Sequence, residues 1–177
     1  VCAAEGVRNA HVVGYGLGGM VALAYGTASS RPTSLTVVGA APAGDAYDPD
    51  GVWADPADPA AVEGSLTGLL SERFRADHPD VIPRIAEWRT AEDADRATFE
   101  AHRAAIEGFD RSDRLHETTT PTLVVHGSAD TVCPVTAAEA LAAGLPRGEL
   151  HAVDGARHLV GVEASAAVND LIGGWLS

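Results

Sequence analysis

The chain has 177 residues, 46% of them hydrophobic, and 25 carboxylates set against 12 basic residues give a formal charge of -13. All 12 basic residues are arginine, which excludes Schiff-base and lysine general-base chemistry and the lysine-type phosphate loop, while the acidic surface repels nucleic-acid phosphates and anionic membranes. No window reaches the roughly 18 apolar residues of a membrane span. Two cysteines, Cys2 and Cys133, make neither a disulfide framework nor a metal cluster, so a cytoplasmic location is expected.

In chain order, Ala3 to Asn9 reads as the end of a short helix that stops near Gly6. His11 to Val13 is a short buried strand, and the glycine cluster Gly14-Tyr15-Gly16-Leu17-Gly18-Gly19 runs straight into a helix over Gly19 to Ala28. A strand, a sharp turn and a helix with almost nothing between them point backbone N–H groups at whatever lies above the helix start. The spacing Gly14-x-Gly16-x-x-Gly19 fits a dinucleotide-binding turn. The frame Gly14-Tyr15-Gly16-Leu17-Gly18 fits a G-x-S-x-G nucleophile elbow equally well, with Gly16 at the serine position.

Leu35 to Val38 is an unalternating apolar run, as in a parallel strand covered on both faces. From Ala43 to about Asp113 the composition changes: no strong β run, much of the charge, and most of the aromatic side chains. Helices are expected over Pro59 to Leu70, Ser71 to Asp77, a further short stretch holding Val81, Ile82, Ile85, Ala86 and Trp88, and Asp93 to Ile106. The last should bury a face made of Ala94, Ala97, Thr98, Ala101, Ala105 and Ile106, with Gly108 as its stop. The strand Pro121 to His126, the helix Val135 to Ala143, the strand Glu149 to Val153 and a final helix over Ala164 to Leu176 complete an α/β order with right-handed crossovers.

Three pieces in this order, HVVGYGLGGMVALAYG, PTLVVHGSADTVCP and VDGARHLVGVE, resemble the nucleophile strand, acid loop and histidine loop of α/β-hydrolases of the small esterase, lactonase and haloperoxidase-like kind. The resemblance covers nearly the whole chain, as the C-terminal two-thirds of such a protein. It also weakens the dinucleotide reading, which wants a ribose-binding acid at the end of the next strand; that strand ends in Val38-Gly39-Ala40-Ala41, and Asp45 is the first acid after it.

The resemblance implies a three-layer α/β/α parallel sheet with a helical cap. Residues 1–42 and 114–177 would form the core and 43–113 the cap insertion; the family's N-terminal strands would be absent. It places the catalytic acid on Asp130 and the base on His158, with Gly16 at the nucleophile position and the Leu17 N–H as an oxyanion donor. The side chain of Tyr15 would point away from the site, and the free nitrogen of His158 would face an empty space or a water above Gly16. Trp53, Trp88 and Phe99 are the candidate substrate-lining aromatics. Cys133 reads as a small buried residue.

The expected activity is hydrolysis of a small apolar ester or lactone without cofactor or metal, impaired because Gly16 has no side chain to attack with. Two alternatives stand beside it: a pseudo-hydrolase that binds a small ligand or partner, and a lyase or cofactor-free oxygenase. With about four strands and the first at an open edge, a complementing N-terminal segment or a homo-oligomer is the expected partner.

Overall fold

The computed structural model describes residue 2 and residues 4–92 and 94–176. Four strands form one parallel sheet in the order β1-β2-β3-β4: β1 Ala10–Tyr15, β2 Pro32–Val38, β3 Thr122–Gly127 and β4 Gly148–Val153. Val12 lies beside Leu35, and Leu35 beside Thr122, so the three sequence motifs enter one sheet. β1 and β4 are its edges among the described residues. β2 and β3 are buried along nearly their whole length, as expected of unalternating apolar runs with helices on both faces.

The helices divide between those faces. α1 (Leu17–Ala28) and α6 (Val135–Gly144) contribute Met20, Leu23, Ala138 and Leu141 to the cluster around Val37 and Val124. On the opposite face α7 (Val160–Glu163) and α8 (Ser165–Trp175) bring Val160 and Val168 against Val38, Leu123 and Val125. The result is a three-layer α/β/α sandwich.

Among the described residues between β2 and β3 come four α-helices, α2 (Pro59–Leu69), α3 (Glu72–Asp77), α4 (Val81–Glu92) and α5 (Arg96–Glu107). Their starts are written in the sequence. Asp58 accepts the N–H groups of Ala60 and Ala61, with Pro59 in the first turn, while Ser71 caps α3 and Asp95 caps α5. Val62, Leu66, Leu69 and Ile85 from this segment join the same apolar cluster as Met20 and Val124. The segment therefore packs on the sheet unit through a shared core.

Four local expectations change. The strand at His11 to Val13 is not buried: as an edge of the sheet among the described residues it leaves His11 and Val13 exposed. Residues 4–6 are turn rather than helix, and Ala3 lies outside the described residues. The start of α5 expected at Asp93 also falls on a residue outside them; the helix begins at Arg96. α5 buries Phe99 and Ile106 with Arg103 half-buried between them, while Ala97, Thr98, Ala101 and Ala105 face solvent. Burial followed the two large side chains, because small alanines gain little by turning inward. No helix of the described residues is long and apolar enough to cross a membrane.

The turn between β1 and α1 is closed so tightly that a Cβ on Gly14 would stand 2.1 Å from the Gly18 carbonyl oxygen and 2.7 Å from the Gly19 nitrogen. A Cβ on Gly18 would meet nothing within 4 Å. Gly14→Ala is expected to lower stability by about 3 kcal/mol or more through backbone overpacking. Gly18→Ala, inside α1, should raise it by about 0.5–1 kcal/mol. Urea midpoints of the two variants check the contrast, and equal midpoints would contradict this description of the turn.

Candidate active site

The ends of β1, β3 and β4 that carry the motifs lie along the same C-terminal edge of the sheet, with β2 between β1 and β3, where open α/β sheets present their ligand sites. Gly16 is the residue between β1 and α1, with φ 52° and ψ -121°. Side chains rarely adopt this left-handed backbone, and glycine holds it without strain. The Gly16 N–H donates to the Val38 carbonyl at 2.9 Å, and its own carbonyl accepts the Gly19 N–H at 2.9 Å. Leu17 is the first residue of α1, so its N–H has no carbonyl of its own helix to bond, and it lies on the wall of the cavity described below.

Asp130 follows β3 and is buried. One carboxylate oxygen, Oδ1, accepts the backbone N–H groups of Val132 (2.8 Å) and Cys133 (3.0 Å). The other, Oδ2, accepts Nδ1–H of His158 at 2.8 Å. Nε2 of the buried His126 stands 3.4 Å from Oδ2 and donates to the Cys133 carbonyl at 2.7 Å. Burial by itself raises the Asp130 carboxyl. The hydrogen bonds of His126 and His158, with the charge of His158 and the Cys133 N–H, outweigh it and hold the carboxyl well below the usual carboxylate range. Cys133 is fully buried, and burial followed by the charge of Asp130 pushes its thiol up to about 12, so it carries no thiolate near neutrality.

The loops bearing these residues are tied to each other. Ala129 N–H donates to the Ala156 carbonyl, Ser128 N–H to that of Val153, and Leu159 N–H to Leu69 of α2. A Cβ on Gly127 would strike the Arg157 carbonyl oxygen at 2.3 Å, and Gly39 leaves room beside the His158 ring. Glu163 accepts the N–H groups of Ser71 and Arg157 and the Ser71 hydroxyl, locking the histidine loop to the start of α3.

Two tyrosines enclose the imidazole edge-on, Tyr15 with ring centres 5.8 Å apart and Tyr47 at 5.6 Å. The Tyr15 hydroxyl donates to the His158 carbonyl, so its side chain turns toward the histidine rather than away from it. The Tyr47 hydroxyl lies 3.1 Å from His158 Nε2. The expected open space above Gly16 is therefore taken: a Cβ on Gly16 would meet Tyr47 Oη at 2.9 Å. In the neutral ring, with Nδ1–H committed to Asp130, Nε2 is the acceptor and Tyr47 the donor. Burial first, then nearby Cys133 and Asp130, raise the Tyr47 phenol, which stays protonated.

Tyr47, His158, Gly16 and Leu17 form the floor of a cavity of about 320 Å³. Trp53 and Phe99, stacked with centres 4.9 Å apart, lie on its wall. Trp88 does not: it is 58% exposed on α4 with the Arg84 guanidinium over its ring. Its neighbours Ile85 and Ala86 fill the buried stripe of that helix and turn Trp88 outward. The sequence names Tyr15 beside the elbow position but turns its side chain away from the site, and it gives no sign of Tyr47, which stands in a loop with no motif around it.

A family model described as the alpha/beta hydrolase family matches residues 1–171. The chain belongs to the alpha/beta hydrolase family. It is 29% identical to a Variovorax paradoxus (strain S110) protein named as a putative carbamate hydrolase, RutD, with 94% of this chain matched; the chain spans 65% of that relative's length. Among solved structures, the serine hydrolase CCSP0084 from the polyaromatic-hydrocarbon-degrading bacterium Cycloclasticus zankles is 26% identical with a TM-score of 0.80, over 97% of this chain and 65% of that one. Est816, described as an N-acyl homoserine lactone degrading enzyme, superposes with a TM-score of 0.79 at 24% identity, over 98% and 70%. A hydrolase from Pseudomonas aeruginosa PA01 gives 0.81 at 23%, over 99% and 68%. The last two likenesses bear on the fold.

This hydrolase-family site has a consequence for acid stability. The Asp130 carboxyl is depressed in the fold relative to about 3.9 in an unfolded chain. Its ionised form therefore stabilises the fold above about pH 4, and that contribution fades as pH falls below this value toward the depressed one. Asp130→Asn, which does not titrate, should cost about 2 kcal/mol or more at pH 7. Urea denaturation at several pH values should show the gap between parent and variant narrowing below about pH 4. A gap that stays constant into acid would contradict the ionised, hydrogen-bonded Asp130.

Proposed function

We propose that this chain carries an ester- or lactone-directed hydrolase site of the serine–aspartate–histidine type, impaired because the nucleophile position is held by Gly16. One observation supports this above the others: His158, paired with Asp130 at 2.8 Å, lines the same cavity as Gly16, and its Nε2 meets the Tyr47 hydroxyl that stands over the Gly16 position. Asp130 fixes the tautomer and orientation of the ring, and His158 is the base. The Leu17 N–H is one oxyanion donor. In this reading residues 43–113 act as a cap, and the stacked Trp53 and Phe99 give the cavity its apolar wall, suited to a small substrate with little charge. The names of the relatives, a lactone-degrading enzyme and a carbamate hydrolase, share the chemistry of attack on an acyl carbonyl with a heteroatom leaving group.

Substituting Gly16→Ser should raise hydrolysis of an activated short-chain ester by several orders of magnitude. The left-handed backbone at this position should make the serine form less stable by about 1–3 kcal/mol. Ester turnover and thermal melting of the two proteins check both statements. A serine form that folds and binds the ester but turns it over no faster than the glycine form would sink the hydrolase reading.

A further inference from the structure

A base with no nucleophile beside it leaves one question: what chemistry the glycine form can still carry out. Tyr47 answers it by position. Its hydroxyl stands 3.1 Å from His158 Nε2 and 2.9 Å from the place of a Gly16 Cβ, so it occupies the ground a side-chain nucleophile would use. This placement is built by the backbone around it. Tyr47 N–H donates to the Gly44 carbonyl, Gly44 N–H to Phe109 at the end of α5, and Asp48 N–H to Val132 in the acid loop. A Cβ on Gly44 would stand 1.8 Å from the Ile106 carbonyl oxygen, so the loop fits only with glycine there. Tyr47 is thus held from both the cap side and the acid side, with its ring in the main core and its hydroxyl at the cavity floor.

We infer that Tyr47 is a catalytic proton relay, through which the Asp130–His158 pair drives direct attack of water on the acyl carbonyl of a small ester. The inference rests on the proposed hydrolase reading of the site. Water gives a proton to Tyr47 Oη as Oη–H passes to His158 Nε2, and the imidazolium is held by the Asp130 carboxylate. The water oxygen bonds to the carbonyl carbon, and the carbonyl π pair moves to its oxygen. The tetrahedral intermediate then expels the alkoxide, which takes the proton back along the same path. The carboxylic acid and the alcohol leave, and no acyl-enzyme forms. A buried phenol that remains protonated suits a relay, which holds a proton at every stage, and not a free phenolate nucleophile.

The test is p-nitrophenyl acetate hydrolysis, corrected for buffer, by the protein and by Tyr47→Phe, His158→Asn and their double variant, with melting curves to establish folding. Tyr47→Phe should lower the rate about 100-fold. His158→Asn should do the same, and the double variant should be no slower than either, because the two groups act as one unit. In the Gly16→Ser background the same Tyr47→Phe change should raise the rate, since the phenol hydroxyl there crowds the new side chain. Multiplying effects, an unchanged rate in the glycine background, or a loss in both backgrounds would overturn the relay. So would a glycine protein no faster than buffer. In that last case, turnover by the Gly16→Ser protein would leave the hydrolase reading standing, and its absence would remove both. If the serine forms do not fold, the cycle in the glycine background decides alone.

Discussion

The site depends on the carboxylate of Asp130 being satisfied on every side while buried. A carboxylate taken out of water without partners would neutralise instead of staying ionised. Here two backbone N–H groups hold one oxygen and His158 holds the other, with His126 close behind. Everything else at the cavity floor follows. An ionised Asp130 demands Nδ1–H on His158, which leaves Nε2 as an acceptor, which in turn orients the Tyr47 hydroxyl toward it. Three side chains from three separate loops thereby share one ordered hydrogen-bonded chain, from the Tyr47 hydroxyl through His158 to the Asp130 carboxylate.

That order is maintained by backbone rather than by side-chain packing alone. The acid loop and histidine loop exchange hydrogen bonds directly, the histidine loop is tied to α2 through Leu159, and the Tyr47 loop is tied to both α5 and the acid loop. Positions that must lie this close are glycines where a Cβ would collide with a carbonyl, at Gly44 and Gly127. A constellation that needs sub-ångström placement benefits from such over-determined loops, because side chains alone would allow the ring of His158 several orientations.

Much of this was legible in the sequence. An apolar run without alternation marked β2 as a parallel strand covered on both faces, and helices expected from Pro59 and Ser71 lie where α2 and α3 form. Asp130 and His158 were readable because each follows a recognisable strand, and the structure brings them to 2.8 Å. What the sequence did not carry was the direction of side chains in the segment between β2 and β3. Trp88 was a cavity-lining candidate on a helix read from periodicity, yet the neighbouring Ile85 and Ala86 took the inward face and left the indole to Arg84. On α5 the alanines set the apparent period while Phe99 and Ile106 set the burial. Tyr47 was invisible because nothing local fixes where a loop tyrosine points; its position comes from hydrogen bonds to Phe109 and Val132, far away in the chain.

The central claim is that Asp130, His158 and Tyr47 form one proton chain with the imidazole as its middle member. Nitrogen-15 NMR of the His158 ring in the neutral form at mildly alkaline pH addresses it directly. The account predicts a protonated Nδ1 and an unprotonated Nε2 whose resonance moves when Tyr47 is replaced by phenylalanine. A protonated Nε2, or an Nε2 resonance indifferent to that replacement, would contradict it.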